Sequence, residues 1–155
     1  MIKVGFDILA SLCGLILLWP LLLIVSIWIK FDSSGPVFFR QQRVGRFGMP
    51  FYIHKFRTMS TDSEIKGRLT VGLDSRITFS GHFLRKSKLD ELPQLFDILL
   101  GKMSLVGPRP GLFNQEELTD ARETKGVFDV RPGITGEAQV NDIDMSTPIL
   151  TRILK

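Results

Sequence analysis

The sequence predicts an α+β fold in which an N-terminal membrane helix precedes a small domain with a short β-hairpin. Three observations lead to this class. Ile8–Ile29 is a run of 22 residues without a charge. Val37–Met59 contains two strand-like segments around glycines, and Leu92–Leu99 has apolar residues at helical spacing. The chain therefore divides into a membrane helix at 1–30 and a second domain at 31–155.

Length and charge limit the classes of function. At 155 residues the chain can form one domain with a modest core. Its 20 Lys and Arg against 16 Asp and Glu give a net charge of +4, which favours anionic partners such as phosphates, nucleic acid or anionic lipid. The single Cys13 lies in the apolar run, so no intrachain disulfide can form and a role as a small hydrophobe is expected.

The run Ile8–Ile29 has the length of a membrane helix and is followed at once by Lys30. It is too long for a signal peptide, and no small-residue cleavage site follows it. Pro20 cannot donate to the carbonyl of Ile16, so a break is expected there. The two halves would be roughly 18 and 13 Å long, and neither crosses a hydrocarbon core of about 30 Å. A kinked span and a re-entrant hairpin both remain open.

Basic residues indicate the side of the membrane on which the next segment lies. Between Ser33 and Thr61 the sequence has no acidic residue, but it has five basic ones: Arg40, Arg43, Arg46, Lys55 and Arg57. Such an excess is typical of cytoplasmic segments. A spanning helix would export only Met1–Asp7, whereas a re-entrant helix would keep both ends in the cytoplasm.

The segment Val37–Met59 predicts two short strands joined by a bend at Gly45 and Gly48. As a solvated basic hairpin it would lie against anionic headgroups, where each nearby cation contributes about 1 kcal/mol. Alternatively, some of its cations hold a phosphate-bearing substrate. Residue types alone favour the headgroup interpretation.

The next segment, Ser60–Arg76, is polar and without clear periodicity, which predicts a loop or a mobile lid. Ile77–Ser87 predicts a short helix or strand that carries Arg85 toward the carboxylates that follow it. His54 and His82 are the two histidines of the chain, which are too few to predict a zinc site.

Two adjacent carboxylates, Asp90 and Glu91, stand at the start of a helical pattern. Its apolar face is made of Leu92, Leu95, Phe96 and Leu99. Gly101 suits the end of this helix, and Pro93 fits only its first turn. In one interpretation Asp90 lies at or near the N-cap and Glu91 just inside, where free N–H groups and the helix dipole favour carboxylates.

The alternative interpretation of the two carboxylates is chemical. Adjacent helical residues diverge by about 100°, so Asp90 and Glu91 could serve as nucleophile and metal ligand. Their adjacency argues against a glycosidase pair, whose carboxyls face each other across about 5–9 Å. Downstream, Pro108 and Pro110 stiffen the backbone around Arg109, and a rigidly held guanidinium is a good bidentate ligand for phosphate.

Five ordered segments carry a resemblance to a known family: FFRQQRVG from Phe38, KFRTM from Lys55, DSRIT..G.FLRK from Asp74, LDELPQL…G.MSLVGPRP from Leu89 and PGITG.AQVN from Pro132. Together they resemble the bacterial sugar transferase family, the monotopic polyprenyl-phosphate phosphoglycosyl transferases. The similarity covers most of the chain, from the N-terminal apolar segment through Asn141.

The resemblance implies an activity. Family members transfer a sugar phosphate from a nucleotide diphosphosugar, commonly a UDP-sugar, to a polyprenyl phosphate and release the nucleoside monophosphate. The matching positions imply that Asp90 is the nucleophile and that Glu91 binds Mg²⁺. They also imply substrate contacts by five basic residues: Arg85, Arg109, Arg40, Lys55 and Arg57.

The resemblance also implies an architecture and a location. It favours a re-entrant helix, helix-break-helix at Pro20, with a small catalytic domain and interfacial helices at the cytoplasmic face of the bacterial inner membrane. The expected partners are a nucleotide sugar, polyprenyl phosphate and membrane lipid, with no nucleic acid, and a homo-oligomer is compatible with the sequence. The expected role is the first membrane step of surface glycan synthesis.

Two features depart from the family pattern. Trp19, rather than a small hydroxyl residue, precedes Pro20, and Asp142–Lys155 replaces the usual aromatic-rich continuation. The second departure is expected of a truncated or short member that lacks part of a pocket. A membrane-attached scaffold with a degenerate active site is the alternative function, although a scaffold would not need the carboxylates and arginines together.

Overall fold

The computed structural model describes residues 2–60, 76–113 and 115–136. Within these ranges the helices and strands, in chain order, are α1 (Ile2–Asp32), β1 (Phe38–Val44), β2 (Pro50–Phe56), α2 (Phe79–Ser87), α3 (Gln94–Leu99), β3 (Ser104–Val106), α4 (Glu116–Thr124) and β4 (Gly133–Thr135). The mixture of helix and strand agrees with the predicted class. Most of the segment predicted as a loop at 60–76, the AQVN string and the tail at 142–155 lie outside the described residues.

The N-terminal helix α1 runs without interruption through Pro20. The predicted division into two helices at this residue is therefore not observed. Proline removes one backbone hydrogen bond from a helix interior, and packing on both sides of it keeps α1 continuous, because Leu15 is buried before it and Val25 after it. By length and composition, α1 is long and apolar enough to cross a membrane.

The two sides of α1 have different surroundings. Its buried residues fall on one side of the helix and pack against the rest of the chain: Asp7, Ser11, Leu15, Val25 and Ile29. The opposite side is exposed and apolar, and its members include Leu9, Leu12, Ile16, Trp19, Leu23 and Ile27. We call this second set the outer face of α1. Each of these side chains is at least two-fifths exposed.

Polar contacts tie both ends of α1 to the same domain. Near the N-terminus, the Ser104 hydroxyl donates to Asp7 Oδ2 at 2.7 Å, and both residues are buried. At the C-terminus, Asp32 Oδ2 accepts hydrogen bonds from the backbone N–H of Ser80 at 2.9 Å and from its hydroxyl at 2.7 Å. The helix is thus held along its length rather than by one end.

Strands β1 and β2 form the predicted antiparallel hairpin. Its bend contains Gly48 with φ of +70°, a left-handed conformation that glycine adopts readily. Gln41 lies opposite Ile53, and Phe39 lies opposite Lys55. Opposite residues share a face and consecutive residues alternate. One face of the hairpin therefore carries the odd-numbered residues and the other face the even-numbered ones.

Helix α2 confirms the helical alternative for the segment that carries Arg85. Thr78 caps its start, because the hydroxyl oxygen accepts a hydrogen bond from the Gly81 backbone N–H at 3.0 Å. A Cβ on Gly81 would lie 2.1 Å from the Thr58 carbonyl oxygen, so only glycine permits this approach to the hairpin. The helix ends at Lys88, whose left-handed φ of +59° turns the chain into a short 3₁₀ segment.

Two small apolar clusters hold the elements together. The first joins α1, β2 and α2 through Val25, Ile29, Phe56 and Leu84. The second joins β2 to α3 and to the residue before β3 through Ile53, Ile98 and Met103. Burial of each such side chain contributes about 1.5–3 kcal/mol. The 3₁₀ segment between α2 and α3 is therefore fixed from both sides.

The apolar face predicted for the helix after the carboxylates is divided between two environments. Leu95 packs against the second cluster, whereas Phe96 is exposed. The helix itself is shorter than the pattern indicated, because α3 begins only at Gln94. Gly101, with φ of +72°, follows its last turn as predicted.

Strands β3 and β4 form a short parallel pair that the sequence analysis did not predict. Ser104 lies opposite Gly133, and Val106 lies opposite Thr135. The backbones of two loops meet beside this pair: a Cβ on Gly133 would lie 2.1 Å from the backbone nitrogen of Gly107. Strands of three residues have too little periodicity to be predicted, and their partner is distant in sequence.

Candidate active site

The two adjacent carboxylates lie on the 3₁₀ segment Leu89–Glu91, between α2 and α3. Both are buried, with relative exposures of 8% for Asp90 and 9% for Glu91. Neither caps α3: the residue at its N-cap is Pro93, and no side-chain hydrogen bond caps that end. The N-cap interpretation of Asp90 is therefore wrong, because the chain turns through a 3₁₀ segment before the helix begins. The carboxylates need another explanation.

Glu91 is paired with two cations. Its Oε1 accepts a hydrogen bond from Lys55 Nζ at 2.6 Å and from Arg109 Nη2 at 3.1 Å. Burial by itself would raise the pKa of Glu91, but the attraction of Lys55 and Arg109 outweighs it and lowers the pKa below its usual value. Glu91 is thus a permanently ionised carboxylate at neutral pH, and it holds two elements of the site together.

Asp90 has the opposite environment. Its Oδ1 is buried and has no hydrogen-bond partner among the described residues. Burial raises its pKa above the usual value; Lys55 opposes this rise and the neighbouring Glu91 adds to it. When the environment moves the pKa values of two neighbouring carboxylates in opposite directions, the two groups commonly have different chemical roles. An unpaired, more basic carboxylate is suited to attack an electrophile, whereas its paired neighbour is not.

A hydrogen-bonded pair positions Lys55 against Glu91. His54, next to Lys55 on β2, donates its backbone N–H to Asp97 Oδ2 at 2.9 Å, and its Nδ1 lies 2.7 Å from Asp97 Oδ1. Asp97 lies in α3 and is fully buried. It therefore ties the open edge of β2 to the helix that follows the carboxylates. His54 has a structural role in this arrangement.

The structure brings together five of the seven site residues that the sequence predicted. Arg85 joins Asp90, Glu91, Lys55 and Arg109: its Nε donates to the Thr58 hydroxyl at 2.9 Å, and its charge lowers the pKa of Asp90 against the effect of burial. The site thus gathers residues from β2, α2, the 3₁₀ segment and the loop after β3.

Two predicted residues lie elsewhere. Arg40 is exposed and is opposite His54 in the hairpin, so it lies on the face away from Lys55. Arg57 is buried and donates its Nη2 to the Ser33 carbonyl at 2.7 Å, at the end of α1. Neither makes a contact with the carboxylate pair within the described residues.

The loop that carries Arg109 is held from two sides. Arg122 of α4 donates its Nη1 to the Arg109 carbonyl at 2.9 Å. Gly107 packs directly on the backbone of Gly133, where no larger residue fits. Because the loop is braced, the guanidinium of Arg109 is presented in a fixed position, as phosphate recognition requires.

A shallow, open cleft lies beside this loop. We call it the cationic cleft and define it by its lining residues: Arg43, Ile53, Lys55, Glu91, Gln94, Arg109, Pro110 and Gly133. Sequence reasoning had named Arg43 only as one of several basic residues and had not selected Gln94. Only the register of the hairpin, which the sequence did not reveal, places Arg43 on the face of Lys55.

The donor set at the carboxylates fits one hard divalent cation with few protein ligands. Mg²⁺ is usually held by one or two carboxylates and completes its shell with water and substrate phosphates. The unpartnered Oδ1 of Asp90 next to Glu91 supplies such a pair. The described residues contain no group of three or more metal-binding side chains, so a fully protein-ligated metal site is not present among them.

The comparison with known proteins decides the family. The profile described as bacterial sugar transferase matches residues 1–153. The chain belongs to the bacterial sugar transferase family. Membership explains why the motifs quoted above surround the carboxylate pair and the Arg109 loop.

Three relatives in this family illustrate the similarity. The UDP-glucose:undecaprenyl-phosphate glucose-1-phosphate transferase of Xanthomonas campestris pv. campestris is 43% identical over 96% of this chain and 32% of the relative. The UDP-N-acetylgalactosamine-undecaprenyl-phosphate N-acetylgalactosaminephosphotransferase of Aeromonas hydrophila is 44% identical over 90% of this chain and 34% of the relative. The exopolysaccharide production protein PSS of Rhizobium leguminosarum bv. phaseoli is 43% identical over 92% of this chain and 74% of the relative. The chain thus spans about a third of the length of the first two.

Proposed function

We propose that this member of the bacterial sugar transferase family transfers a sugar phosphate from a UDP-sugar to undecaprenyl phosphate or a similar polyprenyl phosphate, as an early step of surface glycan synthesis. The names of its relatives supply the two substrates. The observation that carries the proposal is the contrast between Asp90, buried without a partner, and Glu91, paired with two cations.

The first chemical step in this proposal is nucleophilic attack. A carboxylate oxygen of Asp90 forms a bond to the phosphorus that carries the sugar, and the bridging P–O bond breaks with its electron pair on the departing nucleoside monophosphate. The product is an aspartyl-phosphosugar. Lys55, Arg85 and Arg109 offset the repulsion between the carboxylate and the diphosphate.

The second step regenerates the carboxylate. An oxygen of the polyprenyl phosphate attacks the same phosphorus, the bond from that phosphorus to the Asp90 oxygen breaks, and polyprenyl-diphosphate-sugar is released. Because the nucleotide departs before the lipid reacts, the kinetics are expected to be ping-pong.

Mg²⁺ belongs to the same proposal. Glu91 would hold it beside the unpartnered Oδ1 of Asp90, and when bound it would neutralise part of the diphosphate charge. The protein residues then keep two separate tasks: Glu91 fixes the positions of Lys55 and Arg109, and Asp90 supplies the attacking oxygen.

We also propose that α1 attaches the enzyme to the cytoplasmic face of the inner membrane without spanning it. Asp7 contacts Ser104, Lys3 Nζ donates to the Val106 carbonyl at 2.8 Å, and the other end of α1 binds α2. Contacts from both ends of α1 to the same domain support a helix that keeps those ends on one side of a bilayer. Its outer face, free of charge, is suited to contact lipid.

Accessibility of introduced cysteines tests this topology. In a Cys13→Ala background, Ile2→Cys and Ser34→Cys place thiols at exposed positions near the two ends of α1. We expect both thiols to be equally protected from a membrane-impermeant reagent added to intact spheroplasts, because both ends lie in the cytoplasm.

Permeabilised spheroplasts provide the control, since both thiols should then react. If only Ile2→Cys reacted in intact spheroplasts, α1 would span the membrane and the non-spanning proposal would be wrong.

A direct assay tests the proposed reaction. Detergent-solubilised protein is incubated with undecaprenyl phosphate and a panel of nucleotide sugars, and release of nucleoside monophosphate is measured. We expect release with at least one UDP-sugar and only with the lipid present for multiple turnovers. A protein that folds and binds membranes but releases no nucleotide with any sugar would instead be a non-catalytic scaffold.

A further inference from the structure

We infer that Arg43 is a further substrate-binding residue, which holds the phosphate that departs with the nucleotide. This inference rests on the proposed function and concerns the donor substrate, a nucleoside diphosphate sugar. The relevant observations are the position of Arg43, its hydrogen bonds and the charges around it.

The hairpin register places Arg43 on the side of the active site. It lies opposite Phe51, so it belongs to the same odd-numbered face as Lys55. It lines the cationic cleft together with Lys55, Glu91 and Arg109. Arg40, three residues earlier, lies on the other face. The two arginines of the RQQR string are therefore not equivalent.

The hydrogen bonds of Arg43 orient its guanidinium but leave one of its three nitrogens without a partner among the described residues. Nη1 donates to the Pro110 carbonyl at 3.2 Å, and Nη2 donates to Gln41 Oε1 at 2.6 Å. The third nitrogen, Nε, is buried and has no hydrogen-bond partner within residues 2–60, 76–113 and 115–136. Both fixed contacts are to neutral oxygens, so neither compensates the charge of Arg43.

The charges around Arg43 are unbalanced in favour of an anion. Among the described residues that line the cationic cleft, three cations face the single carboxylate of Glu91. Burial, together with the nearby Arg109, lowers the pKa of Arg43 to about 10, while Glu91 opposes this change. Arg43 is still charged at neutral pH, next to other guanidinium groups. An anionic ligand would remove the repulsion among these groups.

The electrostatic neighbours of Arg43 indicate which phosphate it meets. The charges that act on Arg43 are those of Arg109, Glu91 and Arg122. Those that act on Asp90 are of Lys55, Glu91, Arg85 and Lys88. Glu91 belongs to both sets, and Arg43 lines the cationic cleft with it whereas Asp90 lies outside that lining, so Arg43 and Asp90 lie on different sides of the site.

A diphosphate spans these two sides. Its sugar-bearing phosphorus is attacked by Asp90, and its other phosphate lies toward Arg43 and Arg109. When the bridging P–O bond breaks, the electron pair remains on this second phosphate, which gains a negative charge. Arg43 stabilises that charge, and it therefore acts in the donor half of the reaction and not in the acceptor half.

The test measures the two half-reactions, formation of the adduct and transfer from it, separately. Arg43→Gln, Arg43→Lys and the control Arg46→Gln, at the exposed hairpin tip, are compared with wild type. Binding of uridine monophosphate and of uridine is measured by calorimetry in detergent. Formation of the sugar-phosphate adduct from a UDP-sugar is followed by intact-protein mass spectrometry, and transfer from preformed adduct to undecaprenyl phosphate is measured separately.

For Arg43→Gln we expect uridine monophosphate affinity and the adduct-formation rate to fall by roughly 10- to 100-fold, as for loss of a charged hydrogen bond. Uridine binding and transfer from the adduct should be unchanged. Arg43→Lys keeps the charge but loses the bidentate hydrogen bonding of the guanidinium, so it should show a smaller loss of nucleotide affinity. Arg46→Gln should behave as wild type.

Equal slowing of both half-reactions would overturn the inference, because Arg43 would then act only by holding the Arg109 loop. Unchanged nucleotide affinity in Arg43→Lys and Arg43→Gln would overturn it as well. Failure of the proposed function has a different signature: wild type would bind uridine monophosphate in an Arg43-dependent way but form no adduct.

Discussion

Asp90→Asn is expected to abolish turnover while leaving the protein folded and membrane-bound. A neutral amide has no attacking oxyanion, so the rate should fall by about 10³-fold or more. Intact-protein mass spectrometry after incubation with a UDP-sugar and no polyprenyl phosphate should show a sugar-phosphate adduct on wild type and none on the variant.

Stability provides the internal control for this variant. The pKa of Asp90 is raised by burial, which means that the folded state disfavours the ionised form. Replacing it with a neutral isostere should leave the melting temperature unchanged or higher. Asp120→Asn, at an exposed position of α4, is the matched substitution and should keep full activity. An active Asp90→Asn variant, or an adduct on it, would remove Asp90 from the mechanism.

Removal of divalent metal should produce the second large effect. We expect excess chelator to stop nucleotide release and Mg²⁺ to restore it. Glu91→Gln should raise the Mg²⁺ concentration for half-maximal activity by roughly 10- to 100-fold, the size expected when a group that supports the metal is lost. Membrane attachment through α1 should not change.

The design distinguishes a metal role from the ion pairs of Glu91. Loss of the pairs with Lys55 and Arg109 alone would lower activity by the same factor at every Mg²⁺ concentration. A metal role instead makes the loss recoverable at high Mg²⁺. Glu123→Gln in α4 is the control, and its activity should depend on the Mg²⁺ concentration as that of wild type does. Full wild-type activity in excess chelator would contradict the assignment of Mg²⁺.

Local patterns allowed correct prediction of the elements that depend on neighbouring residues. The hairpin followed from strand-like segments around Gly45 and Gly48, whereas the segment carrying Arg85 was predicted only as a short helix or strand, of which the structure shows the helix. The two carboxylates were selected because the motif around Asp90 resembles a known family, but their place on a 3₁₀ segment rather than at the start of α3 was not predicted. Their separate environments were not predictable, since they depend on Lys55 and Arg109, which are distant in sequence.

Features that depend on long-range packing could not be predicted. The continuity of α1 through Pro20 reflects contacts with α2 and α3, which outweigh the local preference for a break. The pairing of β3 with β4 joins strands too short to carry a pattern. Arg43 and Arg40 have the same residue type and neighbourhood, and only the observed register separates them.

The parallel pairing of β3 with β4 has a consequence for the order in which the protein matures during synthesis. Gly133 follows the Arg109 loop by many residues, yet its backbone braces that loop at Gly107. In a nascent chain α1 and the carboxylate motif therefore emerge before the residues that hold the Arg109 loop in place. We therefore expect α1 to be available for lipid before the Arg109 loop is braced, and the arrangement of Lys55, Glu91 and Arg109 to be complete only after β4 has left the ribosome.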